Sequence, residues 1–386
     1  MTTLQGLRIA HATTGHAPDD DRIFYKEARS LARAGADVIL IYPAGRKPPA
    51  DAAGVMLLPY NGGGSLRRRL LTVGKFESAL RSRPFDLIHC HEPDGLVAAL
   101  RVKRNGGARV IYDSHELWPG VAAQRFPPPC RRGVMWAFGG VERRYVSRCD
   151  AAIGATWAIT DYLSGILGPD RTETILNVPV AGVFGEGPPR EWGEETILCH
   201  EGHLSFARGL KTMAEAVCLV AKKHRVIFKI VGDVFGEERA WLDGFVTRHG
   251  LGEVIIRTGW LPYEQVGKAL GVCHIGLLAF YEVPNSVISA PNKIFNYLMY
   301  GIPFVGPTFI LSLQTMAERE GLCTLADPQS PVSYADAICR LIEDRQETAA
   351  MAARALKASR TRYRWEHMEP KLFALYERVL GMKSTV

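Results

Sequence analysis

The sequence lacks the patterns that mark secreted, metal-stapled and membrane-spanning proteins. Its eight cysteines are scattered without a C-x-x-C pair, which argues against a zinc knuckle or a disulfide framework and favours a reducing compartment. The first residues, MTTLQG, lack the basic start and apolar run of a secretory signal. No apolar stretch approaches the roughly 20 residues that a membrane span needs. We therefore expect a soluble, cytoplasmic protein.

The charge balance limits the partners without naming one. A formal net charge of +7 at pH 7 permits an acidic partner. No zinc finger, recognition-helix pattern or aromatic single-strand signature is present, so we do not expect binding to nucleic acid. A nucleotide-phosphate substrate and an anionic membrane surface explain the positive excess equally well, and both interpretations stay open.

The length and the periodicity indicate two α/β domains. At 386 residues the chain exceeds one typical core. Both halves alternate apolar strands with helical segments, which predicts parallel sheets with helices on both faces. The Gly- and Pro-rich segment 181–193 is predicted to link a domain of residues 1–180 to a domain of residues 194–366. We expect the last helix, within 367–386, to pack back on the first domain.

The stretch 290–303, APNKIFNYLMYGIP, predicts a helix that begins at a ligand site. Ser289 is expected to cap this helix and Gly301 to end it. Apolar strands flank the unit, so the loop before the helix lies at the carboxyl edge of a parallel sheet, where ligands bind. Asn292 and Lys293 then fall in the first turn, whose free N–H groups favour a phosphate. An ordinary capped helix with a solvated lysine is the alternative.

Other strand-end loops of the second half carry glycine as well. Gly202 gives a ligand access to the backbone, and Arg208 offers a fork of donors suited to a phosphate. Gly232 and Trp260 mark the loops VGD and TGWLP. Together these loops fit a sugar nucleotide, with cations for the pyrophosphate, an apolar loop for the base and amides for the sugar hydroxyls.

The loop after the first strand, HATTGHAPDDD, contains Gly15, which would let a ligand approach the backbone closely. It holds no G-x-G-x-x-G or Walker motif, so neither a dinucleotide site nor a P-loop is supported. The acidic run 19–21 resembles a metal site, but we interpret it as the cap of the next helix. Arg22 and Lys26 lie one turn apart on that helix, and a phosphate contact and a solvated face stay equally open.

His115 follows a predicted strand in the segment IYDSHE, at the functional edge of the sheet. Glu116 or Asp113 is expected to orient it or to tune its proton affinity. A hydrogen-bonded structural histidine is the alternative. His89 and His91 straddle the end of another strand, and we give them less weight.

The order and spacing of these motifs resemble the family-4 retaining glycosyltransferases of the GT-B fold over essentially the whole chain. The resemblance implies two Rossmann-like, doubly wound parallel-sheet domains facing across a cleft, with the acceptor on the N-terminal side and the donor on the C-terminal side. Such enzymes usually need no metal and no other cofactor. The segments that carry the resemblance are 21–35, 86–92, 112–116, 202–210 and 291–303.

The resemblance also implies roles for single residues. Arg208 falls at the cation that binds the diphosphate, and His115 at the histidine near the donor sugar and the reacting centre. Gly15 matches the glycine loop under the phosphates.

Two positions depart from the family pattern. An acidic pair eight residues apart is common in the family, the second acid bonded to the ribose, and this chain has Ile288 and Asn296 there. Asn296 can still hydrogen-bond a hydroxyl. His203 stands where a second phosphate-binding arginine is frequent, and Lys293 is the expected substitute.

Three functions stay open on the sequence. The favoured one is a metal-independent, hexosyl-type glycosyltransferase that acts with retention in polysaccharide biosynthesis. Its donor would be a nucleotide-diphosphate sugar, and its acceptor a saccharide, a lipid-linked saccharide or a small molecule. The second is a sugar-nucleotide epimerase of GT-B shape, and the third a non-catalytic GT-B binding protein, which Asn296 and Ile288 support best.

Two segments of the first half place cations beside apolar and aromatic residues, LRRRLL at 66–71 and RRGVMWAFGGVERR at 131–144. Such segments can rest peripherally on an anionic bilayer, at the inner membrane face, and would suit a lipid-linked acceptor. Arginines on helix faces over a normal core are the alternative that we favour from the sequence.

Overall fold

A computed structural model describes residues 4–181, 187 and 192–382, so most of the predicted linker 181–193 lies outside the described residues. The chain forms two compact units. The first comprises Met1–Asn177 together with Met368–Val386, and the second comprises Val178–His367.

Seven parallel strands form the sheet of the first unit, as far as the structure describes it. They are β1 (Arg8–Ala12), β2 (Asp37–Pro43), β3 (Met56–Tyr60), β4 (Leu87–Cys90), β5 (Arg109–Ser114), β6 (Ala151–Gly154) and β7 (Thr172–Thr174). Their spatial order is β3-β2-β1-β4-β5-β6-β7. The strand order therefore reverses between β1 and β4, and ligands of doubly wound sheets bind at the carboxyl ends of the strands beside such a switch point.

Helices connect these strands. A π-helical segment (Asp21–Ala28) continues into α1 (Arg29–Arg33), and the others are α2 (Leu66–Arg81), α3 (Pro93–Gly106), α4 (Trp118–Gln124), α5 (Pro128–Val146) and α6 (Trp157–Leu167), followed by a 3₁₀ turn (Pro169–Arg171). The Asp20 carboxylate accepts hydrogen bonds from the amides of Arg22 and Ile23, which confirms that the acidic run caps this helix.

The second unit has the same plan. Its strands are β8 (Thr196–Glu201), β9 (Val226–Val231), β10 (Ile255–Arg257), β11 (Ile275–Leu277), β12 (Phe304–Pro307) and β13 (Cys323–Ala326). All recorded pairings are parallel, and the spatial order is β10-β9-β8-β11-β12-β13. The switch point lies between β8 and β11. The prediction of two doubly wound parallel α/β sheets is therefore confirmed.

The helices of this unit pack on both faces of its sheet. A 3₁₀ turn (Phe206–Arg208) leads into α7 (Leu210–Val220), and the others are α8 (Gly236–His249), α9 (Tyr263–Leu270), α10 (Pro284–Val287), α11 (Asn292–Met299), α12 (Leu311–Glu318), α13 (Pro331–Glu343) and α14 (Arg345–Thr361). The core between α7, α13 and the sheet consists of buried, mainly aliphatic residues, because a strand covered on both faces tolerates few polar side chains.

The last helix, α15 (Trp365–Leu380), begins in the second unit, and its residues from Met368 onward belong to the first. There Leu372, Leu375 and Tyr376 are fully buried, and Glu369 pairs with Arg33 at 3.0 Å. Within the described residues, no helix has both the length and the apolar character required to cross a bilayer.

Candidate functional site

At the switch point of the second unit, two glycine loops meet backbone to backbone. Strand β8 ends at Glu201, and Gly202 turns the chain with φ +85° while its amide donates to Val231 O at 2.8 Å. A Cβ at Gly232 would lie 2.3 Å from Gly202 O. No side chain fits at Gly232, so glycine there lets the ends of β8 and β9 pack backbone to backbone.

Arg208 lies at the end of the 3₁₀ turn that follows the Gly202 loop. Its Nη1 donates to His203 O at 2.8 Å, which directs the exposed guanidinium along the loop. Gly209 follows with φ +80°, and a Cβ there would lie 2.0 Å from Ala279 O. The turn is therefore held against the segment after β11, and only glycine permits this approach.

Helix α11 brings a second cation to the same region. Lys293 is 9% exposed, and its Nζ lies 5.1 Å from the centroid of the Phe280 ring. Burial, reinforced by the charge of Arg208, lowers the pKa of Lys293 to about 8, against the opposing charge of Glu201. The alternative of a solvated lysine is therefore wrong.

The start of α11 differs from the expected cap. The residue before the helix is Pro291, and no side chain caps the first turn. Ser289 Oγ donates instead to Ser286 O at 2.8 Å, so the prediction of a serine cap is wrong. Asn292, the first helical residue, is exposed. Uncapped N–H groups of a first turn are free to bind an anion.

Arg208 and Lys293 act on the same neighbours. After burial, the positive charges of Arg208 and Lys293 are among the causes that lower the pKa of His203. The pKa of the buried His200 is lowered in the same way, well below its ordinary value. Two cations, one of them largely desolvated, thus share one neighbourhood with the carboxylate of Glu201. Such a cluster has the charge and the donors to bind a pyrophosphate.

Asn296 forms a pair that the sequence did not reveal. Its Nδ2 donates to both carboxylate oxygens of Glu201, at 2.9 and 3.0 Å. The position that is commonly acidic in the family therefore holds an amide, and a carboxylate reaches it from the end of β8. Glu201 is the last residue of β8 and precedes Gly202, which is the signal that should have singled it out. Trp260 is 80% exposed, and its part in binding stays a prediction.

At the switch point of the first unit, imidazoles converge on one buried carboxylate. Asp113 Oδ2, at the end of β5, lies 3.3 Å from His115 Nε2 and 3.5 Å from both His89 Nε2 and His91 Nδ1. His115 is the most exposed of the three, with 13% of its side chain accessible. Of the two carboxylates expected to orient His115, Asp113 is the one in position. Glu116 is half-buried, and its carbonyl accepts a hydrogen bond from Ser114 Oγ.

The imidazoles also contact one another in a chain that reaches α15. His115 Nε2 lies 3.2 Å from His91 Nδ1, and His91 Nε2 lies 3.1 Å from His11 Nδ1. Tyr376 Oη lies 3.3 Å from His11 Nε2 and 2.6 Å from His89 Nδ1. Burial lowers the pKa values of the three inner histidines, so they stay neutral. Each neutral ring donates through one nitrogen only, so the tautomer of one histidine determines which nitrogen of the next one accepts.

Arg22 and Lys26 are buried beneath this cluster. The Arg22 guanidinium forms two hydrogen bonds of 3.0 Å to Asp113 and donates to Ile175 O at 2.6 Å. Lys26 Nζ donates to Asp21 at 2.5 Å and to Asn177 at 2.6 Å. The interpretation of these cations as a solvated face is therefore wrong. Contact with a ligand phosphate stays a prediction, and it would require these pairs to break.

Glu27 and Asp113 differ in protonation, because their pKa values are shifted in opposite directions. Burial and the charge of Asp113 raise the pKa of Glu27 well above its ordinary value, against the charge of Arg22. Burial opposes ionisation of Asp113 too, but Arg22 and the neighbouring imidazoles hold its pKa well below the usual range. The buried pair is therefore a neutral Glu27 beside an ionised Asp113.

Glu92 holds the Gly15 loop. Its carboxylate accepts from the amides of Thr14 and Gly15 at 2.9 Å each and from Thr13 Oγ1 at 2.6 Å. Burial lowers the pKa of His16, but the hydrogen bond to Asp20 and the charge of Glu92 outweigh this effect and raise it. The loop amides predicted to lie under phosphates are thus already bonded to a carboxylate, which an incoming phosphate would have to displace.

Four buried residues of this cluster could also hold a metal ion. Glu27, His89, His91 and Asp113 place four potential ligand atoms within 4.8 Å of one another. Arg22 pairs with both carboxylates of this group, so a metal ion would share them with a fixed positive charge. The expectation of a metal-free site stays a prediction. A second such group, in the other unit, consists of His224, Cys339 and Glu343.

Comparisons with known sequences give one glycosyltransferase family model for each unit. The family described as Glycosyltransferase Family 4 matches residues 21–178, and that described as Glycosyl transferases group 1 matches residues 195–344. No curated protein matches the chain in sequence.

Solved structures share the fold at low sequence identity. A sucrose-phosphate synthase from Thermosynechococcus elongatus is 17% identical with a TM-score of 0.78, over 97% of this chain and 99% of that one. Anabaena HepE in complex with UDP-glucose is 15% identical with a TM-score of 0.71, over 96% and 99%. A UDP-forming α,α-trehalose-phosphate synthase from Burkholderia vietnamiensis is 13% identical with a TM-score of 0.71, over 98% and 100%.

Proposed function

Because the chain belongs to the family-4 glycosyltransferases of the GT-B fold, we propose that it transfers a hexosyl-type sugar from a nucleotide-diphosphate sugar to an acceptor. The single observation that carries the donor class is the cluster of Arg208 and Lys293 at the switch point of the second unit. The complex of Anabaena HepE with UDP-glucose supports a nucleotide sugar as the donor.

The proposed chemistry is stabilisation of the leaving diphosphate. When the bond from the sugar to the diphosphate breaks, negative charge grows on the phosphate oxygens. Arg208 and Lys293 neutralise it, and burial strengthens the attraction of Lys293 for that charge. The uncapped first turn of α11 adds backbone donors. Transfer with retention and without a metal ion is the reaction that such a site favours, since it needs leaving-group stabilisation and a positioned acceptor more than a strong base.

The nucleoside end is proposed to lie along the pair of Glu201 and Asn296. Asn296 directs its amide group at Glu201 and holds that carboxylate at the end of β8. A carboxylate in this position accepts hydrogen bonds from ribose hydroxyls, which is the role that an acid at position 296 would fill. Trp260, on a loop of the same edge, offers an exposed ring for the base.

His115 is the proposed catalytic residue of the first unit. It lies at the mouth of the histidine cluster, where Asp113 and His91 fix its ring. A ring held by two buried partners needs no reorganisation to position a sugar hydroxyl. The acceptor is proposed to be a saccharide, a lipid-linked saccharide or a small molecule. The proposed setting is polysaccharide biosynthesis, and the scattered cysteines favour a reducing compartment such as the cytoplasm.

The first test is a thermal-shift screen of the full chain against nucleoside diphosphates and their sugars. A donor that binds the folded state raises the melting temperature by mass action, and the base and sugar can be identified from the strongest shift. The positive compound is then incubated with the protein alone and with candidate acceptors.

Each outcome of the incubation separates one function from the others. Slow hydrolysis of the donor without acceptor, and glycosylated product with it, support the transferase. Free epimerised donor identifies an epimerase, and binding without any turnover identifies a non-catalytic binding protein. A screen in which no nucleoside diphosphate shifts the wild-type melting temperature would overturn the donor site itself.

A further inference from the structure

Helix α5 packs on the fold along one side and leaves its other side exposed. Of its 19 residues, from Pro128 to Val146, only Glu142 and Val146 are buried. A helix on a globular core normally buries a continuous apolar stripe. The interpretation of segment 131–144 as arginines over a normal core stays open, because Val134 and Phe138 are partly buried while Trp136 and Val141 are exposed.

The outer face of α5 combines apolar and cationic side chains. Trp136 is 82% exposed, and Val141 is exposed as well. Arg132 lies one turn before Trp136 and Arg144 two turns after it, both exposed. The one acidic residue of the helix, Glu142, is buried and accepts hydrogen bonds from Tyr112 and Tyr162. The face therefore carries positive charge that no acid on the helix offsets.

The second basic segment lies near the same helix. Helix α4 connects the two, because Arg69 of α2 lies 5.7 Å from the centroid of the Trp118 ring, and a Cβ at Gly139 of α5 would contact Pro119. At the start of α2, Leu71 is 76% exposed. Apolar side chains beside arginines thus occur on both sides of α4.

We propose that the outer face of α5, extended by the start of α2, docks on the surface of an anionic bilayer. Arginines bind lipid phosphates, and tryptophan prefers the boundary between head groups and acyl chains. A helix with this composition lies in the plane of the interface, with its apolar side chains among the head groups. The docking needs no sugar transfer and stands apart from the proposed reaction.

Charge decides between a bilayer and a second copy of the chain. In a symmetric pair, the same patch would meet itself and bring Arg132 and Arg144 against their own equivalents. Like charges facing each other across an interface are unfavourable. An anionic lipid surface instead complements every exposed charge of the helix.

A groove beside the end of α5 adds to the positive surface. It has a volume of about 720 Å³ and lies between α2, α3 and α5. Cations prevail in its lining, which includes Arg81, Arg101, Lys103, Arg104 and Arg148. Helix α5 therefore continues at its carboxyl end into a surface of the same sign.

The test is sedimentation of the full chain with vesicles at low salt. Wild-type protein is expected to pellet with vesicles of phosphatidylcholine mixed with phosphatidylglycerol, and to stay in solution with phosphatidylcholine alone. The double variant Arg132→Gln with Arg144→Gln should bind about tenfold or more weakly, since each arginine near an anionic surface contributes about fivefold. Trp136→Ser should weaken binding as well, without a loss of melting temperature, because the side chain packs little in the fold.

The matched control removes two exposed arginines of the other unit, in the double variant Arg239→Gln with Arg248→Gln. It has the same net charge as the α5 variant and should bind as wild type does. Equal weakening in both double variants, or no retention of wild type on the anionic vesicles, would overturn the proposal. So would a dimer in solution that Trp136→Ser converts to monomer, because the face would then be an interface between copies.

Discussion

His91 Nδ1 lies 3.2 Å from His115 Nε2, so a buried imidazole fixes the ring that is most exposed in the cluster. Because His91 is bonded in turn to His11, the orientation of His115 depends on residues from β1 and from the segment after β4. Neither segment carries a recognisable catalytic motif by itself, and the sheet order brings them together.

The first prediction follows from this contact. His91→Gln should lower kcat about tenfold while the donor KM changes little, because the ring of His115 loses its partner and the donor cluster lies in the other unit. Steady-state kinetics give kcat and the donor KM separately. His89→Gln is the matched control, since it removes an equally buried imidazole whose hydrogen bond goes to Tyr376. Equal loss of kcat in both variants would show a structural role only.

Arg208 should contribute mainly to donor binding. Arg208→Ala is expected to raise the donor KM about tenfold or more, since hydrogen bonds to charged groups contribute about 1.5–3 kcal/mol. Lys211→Ala removes the same charge a few residues away, where Nζ lies 4.6 Å from the centroid of the Phe206 ring. The two variants are compared by their KM for the donor. If Lys211→Ala shows the same increase, general electrostatics and not a specific contact explain the effect.

Lys293 should make donor binding dependent on pH. Its pKa is lowered to about 8 by burial and by Arg208, so the side chain is cationic below pH 8 and becomes neutral above it. The donor KM is therefore expected to stay level below about pH 7 and to rise as the pH passes 8. In Lys293→Arg the cation persists and the rise should disappear. A wild-type KM that is flat from pH 7 to pH 10 would contradict this assignment.

Beside the Glu201 carboxylate, position 296 should tolerate a neutral side chain better than a second negative charge. Asn296→Asp places a carboxylate about 3 Å from that of Glu201, where the hydrogen bonds are now 2.9 and 3.0 Å. Repulsion between the two should lower the melting temperature and weaken donor binding. Glu201→Gln should keep the fold and raise the KM for the nucleotide sugar. If Glu201 contacts the ribose 2′-hydroxyl, Glu201→Gln should leave the KM for a 2′-deoxy donor unchanged.

Removal of metal ions should leave the activity unchanged. In the group of Glu27, His89, His91 and Asp113, Arg22 already pairs with the ionised Asp113, and the raised pKa of Glu27 leaves that acid neutral. Transfer is measured after dialysis against a chelator, and the metal content of the purified protein by elemental analysis. A stoichiometric metal ion that is lost in His89→Gln together with the activity would contradict this prediction.

The helix at 292–299 shows which features of the proposed donor site could be predicted from the sequence. Its apolar periodicity and Gly301, with φ +56°, predicted a helix beside a strand end, and the structure has it. The serine cap failed, because Ser289 bonds to the preceding turn instead. The local sequence pattern could not predict the burial of Lys293, since the Phe280 ring that covers it comes from another segment.

In the first unit, the sequence singled out His115 but left the environment of Arg22 open between a phosphate contact and a solvated face. Two cations one turn apart on a helix give no indication of burial when only that helix is considered. Asp113, far along the chain, supplies the carboxylate that makes burial of Arg22 possible. The same distance in sequence hid the role of Glu92, whose carboxylate bonds the amides of the Gly15 loop.

The sequence by itself determined the local events: which segments are strands and helices, where glycines allow turns, and that two α/β units follow one another. These depend on periodicity and backbone conformation, which neighbouring residues decide. Only the tertiary structure decided which charges pair, which imidazoles touch and which side of a helix stays exposed. Those outcomes depend on burial and on contacts between segments far apart in the chain, as the exposed Trp136 and the buried Arg22 show.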